Sequence, residues 1–437
     1  MYNIVLTYIF INDMMSLKAN IYYVNVCSIQ TFFKIKYYFL EENIKMIQKK
    51  LLSLILCISL SISLAACSLL GTTSEKDPTQ PLKQTQAETT EQPTTAPVVD
   101  EIDELIGSMT IEEKVGQMFY VRCPDTEQLE TIQNYNLGGY ILFGRDFEDK
   151  TKDEVIRNIE SYQQTAKIPM LIGADEEGGT VVRVSDNPNL YPSPFLSPSD
   201  TYANGGWEAI EEDAANKADL LLSLGINVNM APDCDITSDP NAFMYYRSFS
   251  DNVDHECEFV QKVVSISKDK KLGTVLKHFP GYGNVSDTHT GIAYDDRDYS
   301  DFEEVDFKPF ITGIESGADC ILVAHTVVSS MDSDYPASLS EKVHDILRNE
   351  LNFDGVIMTD DLSMDAIRDY TGDSDAAVFA VKSGNDILCC TDVATQYPAV
   401  LEAVKNGEIS QEQIDESVKR ILKWKQNLGL ELPTSMK

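Results

Sequence analysis

The chain is strongly acidic: its 437 residues carry 35 basic and 70 acidic side chains, a formal net charge of −35. Such a polyanion repels nucleic acid and anionic membrane surfaces, so we expect no nucleic-acid partner. The length fits two or three average domains or one (β/α)8 barrel with extensions, and composition alone does not choose between them.

A targeting segment stands near the start of the chain. Lys49 and Lys50 precede the apolar run 51–64, which is too short for a comfortable membrane span but suits the core of a secretion signal. The run ends in Leu-Ala-Ala-Cys, closing at Cys67, which resembles a bacterial lipobox. This resemblance implies cleavage before Cys67, lipid attachment to it, and anchoring on the extracellular face of the cell membrane. The alternative is an ordinary secretion signal in which Cys67 is incidental.

Residues 1–45 are unusual in front of such a signal, because a signal normally starts a few residues before its positive region. Met46 stands in that position, so we predict a start there, a lipoprotein signal peptide over 46–66 and a non-structural extension over 1–45. The alternative is a genuine extension that forms part of an anchor. Residues 67–98 are rich in Ser, Thr, Gln, Glu and Pro, which predicts a disordered linker.

From residue 99 to 431, short apolar runs alternate with longer segments of helical periodicity. Eight runs predict buried parallel strands: Val115–Val121, Gly139–Phe143, Met170–Ala174, Asn227–Ala231, Gly273–Leu276, Cys320–Ala324, Gly355–Met358 and Asp386–Cys390. The predicted helices include Lys152–Ala166, Trp207–Leu224, Val253–Lys268, Phe302–Ser316, Leu339–Leu351 and Gln411–Leu428. This alternation predicts an α/β fold, a single (β/α)8 TIM-type barrel over 99–431. Six cysteines in this region show no CxxC pair or zinc-like spacing, so we expect neither disulfides nor a zinc site.

A barrel places its catalytic groups just past the carboxyl ends of its strands. Those positions hold carboxylates and imidazoles here, and two of the five histidines fall within one loop. The polar groups at the predicted strand ends are Asp175-Glu176-Glu177-Gly-Gly, Asp233 and Asp235, Lys277-His278, His325, and Asp360-Asp361. Several acids without a nucleotide-binding glycine fingerprint suit the hydrolysis of a neutral polyol.

Four motifs together resemble family 3 glycoside hydrolases, in the β-N-acetylglucosaminidase (β-N-acetylhexosaminidase) branch. The match covers roughly residues 100–430, and the motifs stand in the family's order. They are Asp175-Glu-Glu-Gly-Gly with Arg183, Arg247-Ser-Phe, Lys277-His278-Phe-Pro-Gly-x-Gly with Asp287-x-His289, and Thr359-Asp360-Asp361-Leu-Ser-Met.

The resemblance implies a retaining double displacement in which Asp360 is the nucleophile and Asp361 caps or orients. It also implies that His289 is the general acid and base, oriented by Asp287. The alternative for Asp360 is a helix cap. The alternative for His289 is a structural role within its loop. No metal or organic cofactor is implied.

The same resemblance assigns the binding of one terminal sugar to a set of charged side chains, with Glu176 and Glu177 in support. His325 is a further candidate, although structural hydrogen bonding would also explain a histidine at a strand end. His255 and His344 lie on helical segments, and we expect them to be solvated. The binding residues are Asp175, Arg183, Arg247, Lys277 and His278.

The resemblance implies hydrolysis of terminal β-linked N-acetylglucosamine from cell-wall fragments, including muropeptides, or from chitooligosaccharides. One departure is Tyr282, where the family loop usually has histidine. The alternatives are a phosphorylase, because a neutral imidazole does not repel a phosphate acceptor, a β-glucosidase on the same scaffold, and a non-enzymatic sugar-binding lipoprotein. A metal-dependent amidohydrolase is a weaker alternative, since residues 99–250 contain no histidine.

Overall fold

Eight parallel strands form the centre of the fold. The computed structural model describes residues 101–283, 285, 291–364, 367, 370–371 and 375–436. The predicted extension, signal peptide, Cys67 and linker lie outside these residues, as do Asp287 and His289. The ten described strands are β1 (Phe119–Arg122), β2 (Gly139–Leu142), β3 (Leu171–Ala174), β4 (Val228–Asn229), β5 (Gly273–Phe279), β6 (Ala293–Asp295), β7 (Cys320–Val323), β8 (Thr326–Val328), β9 (Val356–Thr359) and β10 (Leu388–Cys390).

The strands are hydrogen-bonded in the order β10-β1-β2-β3-β4-β5-β7-β9, and every pair is parallel. A bridge between Met358 and Ile387 links the two outer strands and brings the sheet close to a full circle. The predicted α/β barrel is therefore confirmed. All eight predicted apolar runs overlap one of its strands, because strands buried on both faces read as continuous apolar segments. Strands β6 and β8 form a separate parallel pair.

Helices alternate with the barrel strands. In chain order they are α1 (Glu101–Ser108), α2 (Ile111–Gln117), α3 (Gln128–Tyr135), α4 (Gly144–Phe147), α5 (Lys152–Thr165), α6 (Pro198–Ser223), α7 (Val253–Asp269), α8 (Tyr299–Asp301), α9 (Phe307–Ser316), α10 (Glu341–Asp345), α11 (Asp375–Ser383), α12 (Val393–Lys405) and α13 (Gln411–Asn427). Single wider turns occupy Phe302–Asp306 and Ile346–Glu350, and a tight turn occupies Ala337–Leu339. No helix within the described part of the chain combines the length and apolar composition of a membrane span.

The first predicted strand began too early. Val115 belongs to α2, whose start is fixed by a capping box: the Thr110 side chain accepts the Glu113 N–H, and Glu113 caps Thr110 in return. The strand itself begins at Phe119. The capping signal therefore outweighs the apolar run that follows it.

Helix α6 also differs from its prediction. It begins at Pro198, capped by Ser197, and Gly206 interrupts it with a φ of 65°. The predicted start at Trp207 matches the second part, because a left-handed residue breaks the helical period there.

Candidate active site

A cavity of about 540 Å³ opens at the carboxyl ends of the barrel strands. This volume falls within the range typical of small-molecule sites. The cavity gathers charged groups from loops that are far apart in the sequence, as a barrel requires of its catalytic face. Its wall includes Arg122, Phe143, Asp175, Arg183, Tyr246, Arg247, Lys277, His278, Asp360 and Asp361.

A charged network joins the ends of β3 and β5. Lys277 Nζ lies 2.8 Å from Asp175 Oδ1 and 2.5 Å from Glu177 Oε1. Arg247 holds the same glutamate with two bonds, Nε to Oε2 at 3.0 Å and Nη2 to Oε1 at 2.8 Å. Such a bidentate pair fixes the guanidinium in one plane. The structure thus brings the predicted binding residues Asp175, Arg247 and Lys277 together around Glu177.

Burial and charge pairing oppose each other in this network. Burial alone raises the pKa of Glu177, but Lys277 and Arg247 outweigh it and hold that pKa well below its ordinary value. Burial alone lowers the pKa of Lys277, and Asp175 and Glu177 then raise it above its ordinary value. Glu177 and Lys277 are therefore both charged at neutral pH, and Asp175, Arg247 and Lys277 line the cavity as fixed hydrogen-bonding groups.

His278 is held by a carboxylate behind it. Its Nδ1 lies 2.7 Å from Asp235 Oδ2, and Arg247 Nη2 donates to its Nε2 across 3.3 Å. Because arginine only donates, Nε2 must be the unprotonated nitrogen, and Nδ1–H donates to Asp235. Burial, followed by the charge of Arg247, lowers the pKa of His278 to about 4. His278 therefore lies in the cavity wall as a neutral ring whose Nε2 accepts from Arg247.

A second carboxyl, Asp233, lies beside this dyad. Its Oδ1 accepts the Asp235 N–H at 2.8 Å, and its Oδ2 lies 3.6 Å from Arg247 Nε. Ligand atoms of Asp233, Asp235 and His278 come within 4.8 Å of one another, a spacing that a metal ion can use. Both Asp235 oxygens already accept N–H bonds and Arg247 adds a positive charge, so we interpret the cluster as support for His278. Burial, then the charge of Asp235, raises the pKa of Asp233 well above its ordinary value.

The loop after β9 places two carboxylates at the cavity wall. Asp360 Oδ1 accepts the Asp361 N–H at 2.8 Å, and the Asp360 N–H donates to the Val323 carbonyl at 3.1 Å. Asp361 turns the other way: its Oδ1 accepts the Ser363 N–H at 2.9 Å and its Oδ2 accepts the Thr391 hydroxyl at 2.6 Å. These bonds give Asp361 the contacts of a capping and orienting residue.

His325 lies beneath the Asp360 loop. It is fully buried, its Nε2 donates to the Asp361 carbonyl at 3.0 Å, and its Nδ1 lies 2.7 Å from the Ser338 hydroxyl. These contacts support the alternative in which His325 forms structural hydrogen bonds at the strand end. His344, expected to be solvated, is instead buried, and its Nδ1 bonds the Ser340 carbonyl at 2.7 Å. His255 is exposed as expected.

The predicted Asp287 and His289 fall outside the described residues, but the base of their loop is described. Arg297 pairs with Asp295 at 2.8 Å and with Asp306 at 2.8 Å, and it donates to the Gly281 carbonyl at 3.2 Å. Gly281 has a φ of 121°, and a Cβ there would collide with the Asp306 carboxylate. Glycine is therefore required where the loop leaves the barrel.

Glu176 and Arg183 shape the loop after β3. The Glu176 carboxylate is fully buried and accepts the backbone N–H of Arg183 at 3.0 Å and of Val184 at 2.7 Å. Glu176 thus supports the site by holding this loop folded back on itself. Arg183 reaches the cavity, where its Nε lies 3.8 Å from Asp175 Oδ2 and its guanidinium lies 5.6 Å from the Phe143 ring centre.

Sequence reasoning missed Arg122, Phe143 and Tyr246 among the residues of the cavity wall, and it underestimated Glu177. Arg122 ends β1, Phe143 follows β2, and Tyr246 is 66% exposed at the mouth. The strand-end rule would have found Arg122 had β1 been predicted to end one residue later. Glu177, expected in support, is the residue on which both buried cations converge.

Several known proteins are similar to this chain in sequence. The family described as "Glycosyl hydrolase family 3 N terminal domain" matches residues 110–424. Beta-hexosaminidase A of Pseudoalteromonas piscicida is 31% identical over 330 residues, 69% of this chain and 55% of its own length. The beta-hexosaminidase of Nitrosomonas eutropha is 33% identical over 59% of this chain and 74% of its own. The chain thus spans about half the length of the first relative and three quarters of the second.

Solved structures agree with the fold. A glycoside hydrolase family 3 beta-N-acetylglucosaminidase from Paenibacillus superposes with a TM-score of 0.69 at 29% identity, over 75% of this chain and 64% of that one. The beta-N-acetylhexosaminidase from Beutenbergia cavernae gives 0.66 at 26% identity, over 73% of this chain and 99% of that one. The family resemblance drawn from the four motifs is confirmed, and the chain belongs to glycosyl hydrolase family 3.

Proposed function

We propose that the protein is a retaining, exo-acting β-N-acetylhexosaminidase that releases terminal β-linked N-acetylglucosamine from cell-wall fragments or chitooligosaccharides. The observation that carries the proposal is one cavity in which the buried network around Glu177 and the ring of His278 stand with Asp360. The names of the curated relatives support the same activity.

The buried network suits one sugar ring. Lys277 donates and Asp175 accepts, so a diol can exchange hydrogen bonds with both. These groups are already held by one another, so little reorganisation accompanies binding.

Asp360 supplies the nucleophile in this proposal. Its carboxylate attacks the anomeric carbon, the glycosidic bond breaks through an oxocarbenium-like transition state, and a covalent glycosyl-enzyme forms. His289 protonates the leaving oxygen, and the same imidazole then takes a proton from the attacking water. A water oxygen replaces the Asp360 oxygen on the anomeric carbon, which frees the enzyme and retains the configuration.

In this proposal, lipid attachment at Cys67 determines where in the cell the enzyme is located. The signal core, the Leu-Ala-Ala-Cys sequence and the polar linker support a lipid anchor on the extracellular face of the membrane. Cells fed an alkyne-bearing fatty acid should incorporate it into the wild-type protein but not into Cys67→Ala. Equal labelling of the two would contradict the anchor.

The activity test compares two chromogenic substrates that share one leaving group. Protein from residue 67 onward, with Cys67→Ser, is given the nitrophenyl β-glycosides of N-acetylglucosamine and of glucose. We expect faster release of nitrophenol from the acetamido sugar. Activity on the glucoside alone would show that the substrates are β-glucosides. No hydrolysis of either compound would favour the non-enzymatic sugar-binding alternative.

A further inference from the structure

A second cavity of about 540 Å³ opens beside the candidate active site. Its wall comes from the loops after β3 and β4 and from the start of α6, and includes Thr180, Ser197, Ser199, Tyr245, Tyr246 and Ser248. Thr180 and Tyr246 line both cavities, and both residues are exposed. The border between the two cavities therefore consists of exposed side chains, across which one ligand can extend.

Two tyrosines line the second cavity. Tyr245 and Tyr246 pack edge to face, with 5.2 Å between ring centres, and Tyr245 is 38% exposed. A sugar ring carries C–H groups that pack on such an aromatic surface, while its hydroxyls exchange hydrogen bonds with hydroxyl side chains. Most of the residues that line this cavity are serines, threonines and tyrosines. The second cavity is therefore suited to a saccharide.

The charge of the second cavity indicates which saccharides it suits. None of the described residues that line it is basic, whereas Asp200 and Asp251 are acidic. The cavity therefore disfavours an anion and suits a neutral polyol, whose hydroxyls donate to carboxylates. Its wall is also held in place. Asp200 Oδ2 accepts the Ser197 hydroxyl at 2.7 Å, and Gly179, with a φ of 62°, packs so closely that a Cβ would lie 2.8 Å from the Ser197 Cβ.

The strand order places this cavity across the barrel from the proposed nucleophile. Asp360 follows β9, and β3 lies four strands from β9 in either direction around the nearly closed sheet. In the proposed mechanism the anomeric carbon lies at Asp360, so the opposite edge of the sugar ring points towards Asp175 and Arg247. Arg247 lines the active-site cavity, whereas the next residue, Ser248, lines the second one. The second cavity thus lies on the non-reducing side of the sugar, away from the leaving group.

We propose that the second cavity binds one further neutral sugar on the non-reducing side, so that the enzyme also releases an intact disaccharide of N-acetylglucosamine. The bond that breaks still joins the leaving oxygen to the anomeric carbon at Asp360, and the group transferred to the carboxylate is a disaccharide. A water oxygen then replaces the Asp360 oxygen on that carbon. This inference rests on the proposed glycosidase function and extends it by naming the size of the unit released.

The test compares the nitrophenyl β-glycosides of N-acetylglucosamine and of N,N′-diacetylchitobiose, using the full chain. We expect the wild type to release nitrophenol from the second compound from the start of the reaction, with the intact disaccharide as the other product. Nitrophenol that appears only after a lag, once free N-acetylglucosamine has accumulated, would overturn the subsite. In that case the terminal sugar has to be removed first.

Two variants of the second cavity should change the preference between these glycosides. Tyr245→Ala should lower the ratio of kcat/KM for the disaccharide glycoside to kcat/KM for the monosaccharide glycoside by roughly 3- to 10-fold, because a stacking ring is lost. Ser199→Trp, which fills the cavity from the start of α6, should lower this ratio further. Tyr335→Ala is the control, since Tyr335 is 39% exposed and lines neither cavity. A wild-type ratio in both cavity variants would contradict the subsite.

Calorimetry with N-acetylglucosamine and with N,N′-diacetylchitobiose separates the subsite from the proposed function. Tighter binding of the disaccharide by the wild type, by a margin that Tyr245→Ala reduces, would support the subsite even if neither glycoside is hydrolysed. Equal binding of the two sugars, or a margin that Tyr245→Ala leaves unchanged, contradicts the subsite. Absence of hydrolysis contradicts the proposed function instead.

Discussion

His278 donates its Nδ1–H to Asp235 across 2.7 Å, and this bond determines which ring nitrogen faces the cavity. Asp235 also accepts the backbone N–H of His278 at 3.2 Å and of Tyr282 at 2.6 Å, so the carboxylate is held on three sides. Tyr282, the departure from the usual family loop, is itself buried and packs its ring edge-on to His278, 5.2 Å between centres. The residue thus supports the imidazole from behind.

Asp235→Asn should lower kcat/KM by roughly 10- to 100-fold. An amide has one acceptor oxygen, so either Tyr282 or His278 must face its NH₂ group, and the imidazole loses its fixed tautomer. The pH profile of kcat/KM should change as well, because the charge beside the ring is gone. Asp153→Asn, on an exposed helical face, is the control. An unchanged rate and pH profile would show that Asp235 does not position His278.

Glu177→Gln should destabilise the protein by about 3–5 kcal/mol, the typical cost of breaking a buried ion pair. The change leaves Arg247 and Lys277 with one fewer counter-charge in a buried site. Urea unfolding measures the loss, with the exposed Glu160→Gln as the matched control. A loss below about 1 kcal/mol, as at a typical surface pair, would contradict the central place of Glu177.

Asp360→Gly should reduce turnover by several orders of magnitude, because the covalent step has no other nucleophile. Added azide should restore part of the rate and yield the α-glycosyl azide, since the small anion attacks once from the vacated face. Asp361→Gly should lower activity without azide rescue. Rescue of Asp361→Gly in place of Asp360→Gly would exchange the two roles.

His289→Ala should slow glycosides with poor leaving groups far more than activated aryl glycosides, because only the former need a proton on the leaving oxygen. A series of aryl N-acetylglucosaminides of graded phenol pKa measures this as a steeper dependence of rate on leaving group. Equal losses across the series would make His289 a structural residue.

Lys425 provides a pH prediction away from the cavity. It is fully buried on α13, its Nζ donates to Gln117 Oε1 at 2.6 Å, and burial lowers its pKa to about 7 from an ordinary value of 10.5. Between these two values the unfolded chain binds more protons than the folded one, so the free energy of unfolding should rise as pH increases from 7 to 10.

Lys425→Met should remove this alkaline rise and stabilise the protein by roughly 2–4 kcal/mol at pH 7, where the buried charge is penalised. Urea unfolding at several pH values measures both effects. Lys423→Met, on the same helix, is the control. A variant that keeps the wild-type slope would show that Lys425 is not the titrating group.

The strand-end rule predicted much of the cavity because apolar runs mark strands that are buried on both faces. Asp175 and Lys277 could be named because each directly follows such a run, and Asp360 because it comes two residues after one. Which charged side chains pair with one another could not be predicted in the same way. Glu177 and Arg247 are 70 residues apart, and only the closed barrel makes one the counter-charge of the other. His344 was mispredicted because helical periodicity does not show which face later packs against the strands.

The bond between Asp175 and Lys277 joins residues 102 positions apart, and this separation matters for assembly as well as for binding. While the chain emerges from the ribosome, Asp175 and Glu177 are made well before the lysine that neutralises them. A nascent chain that ends before β5 therefore contains Arg247 but still lacks Lys277, the cation that bonds both acids. Completion of the fifth strand supplies the last cation of this network, so the network of fixed charges in the cavity can form only then.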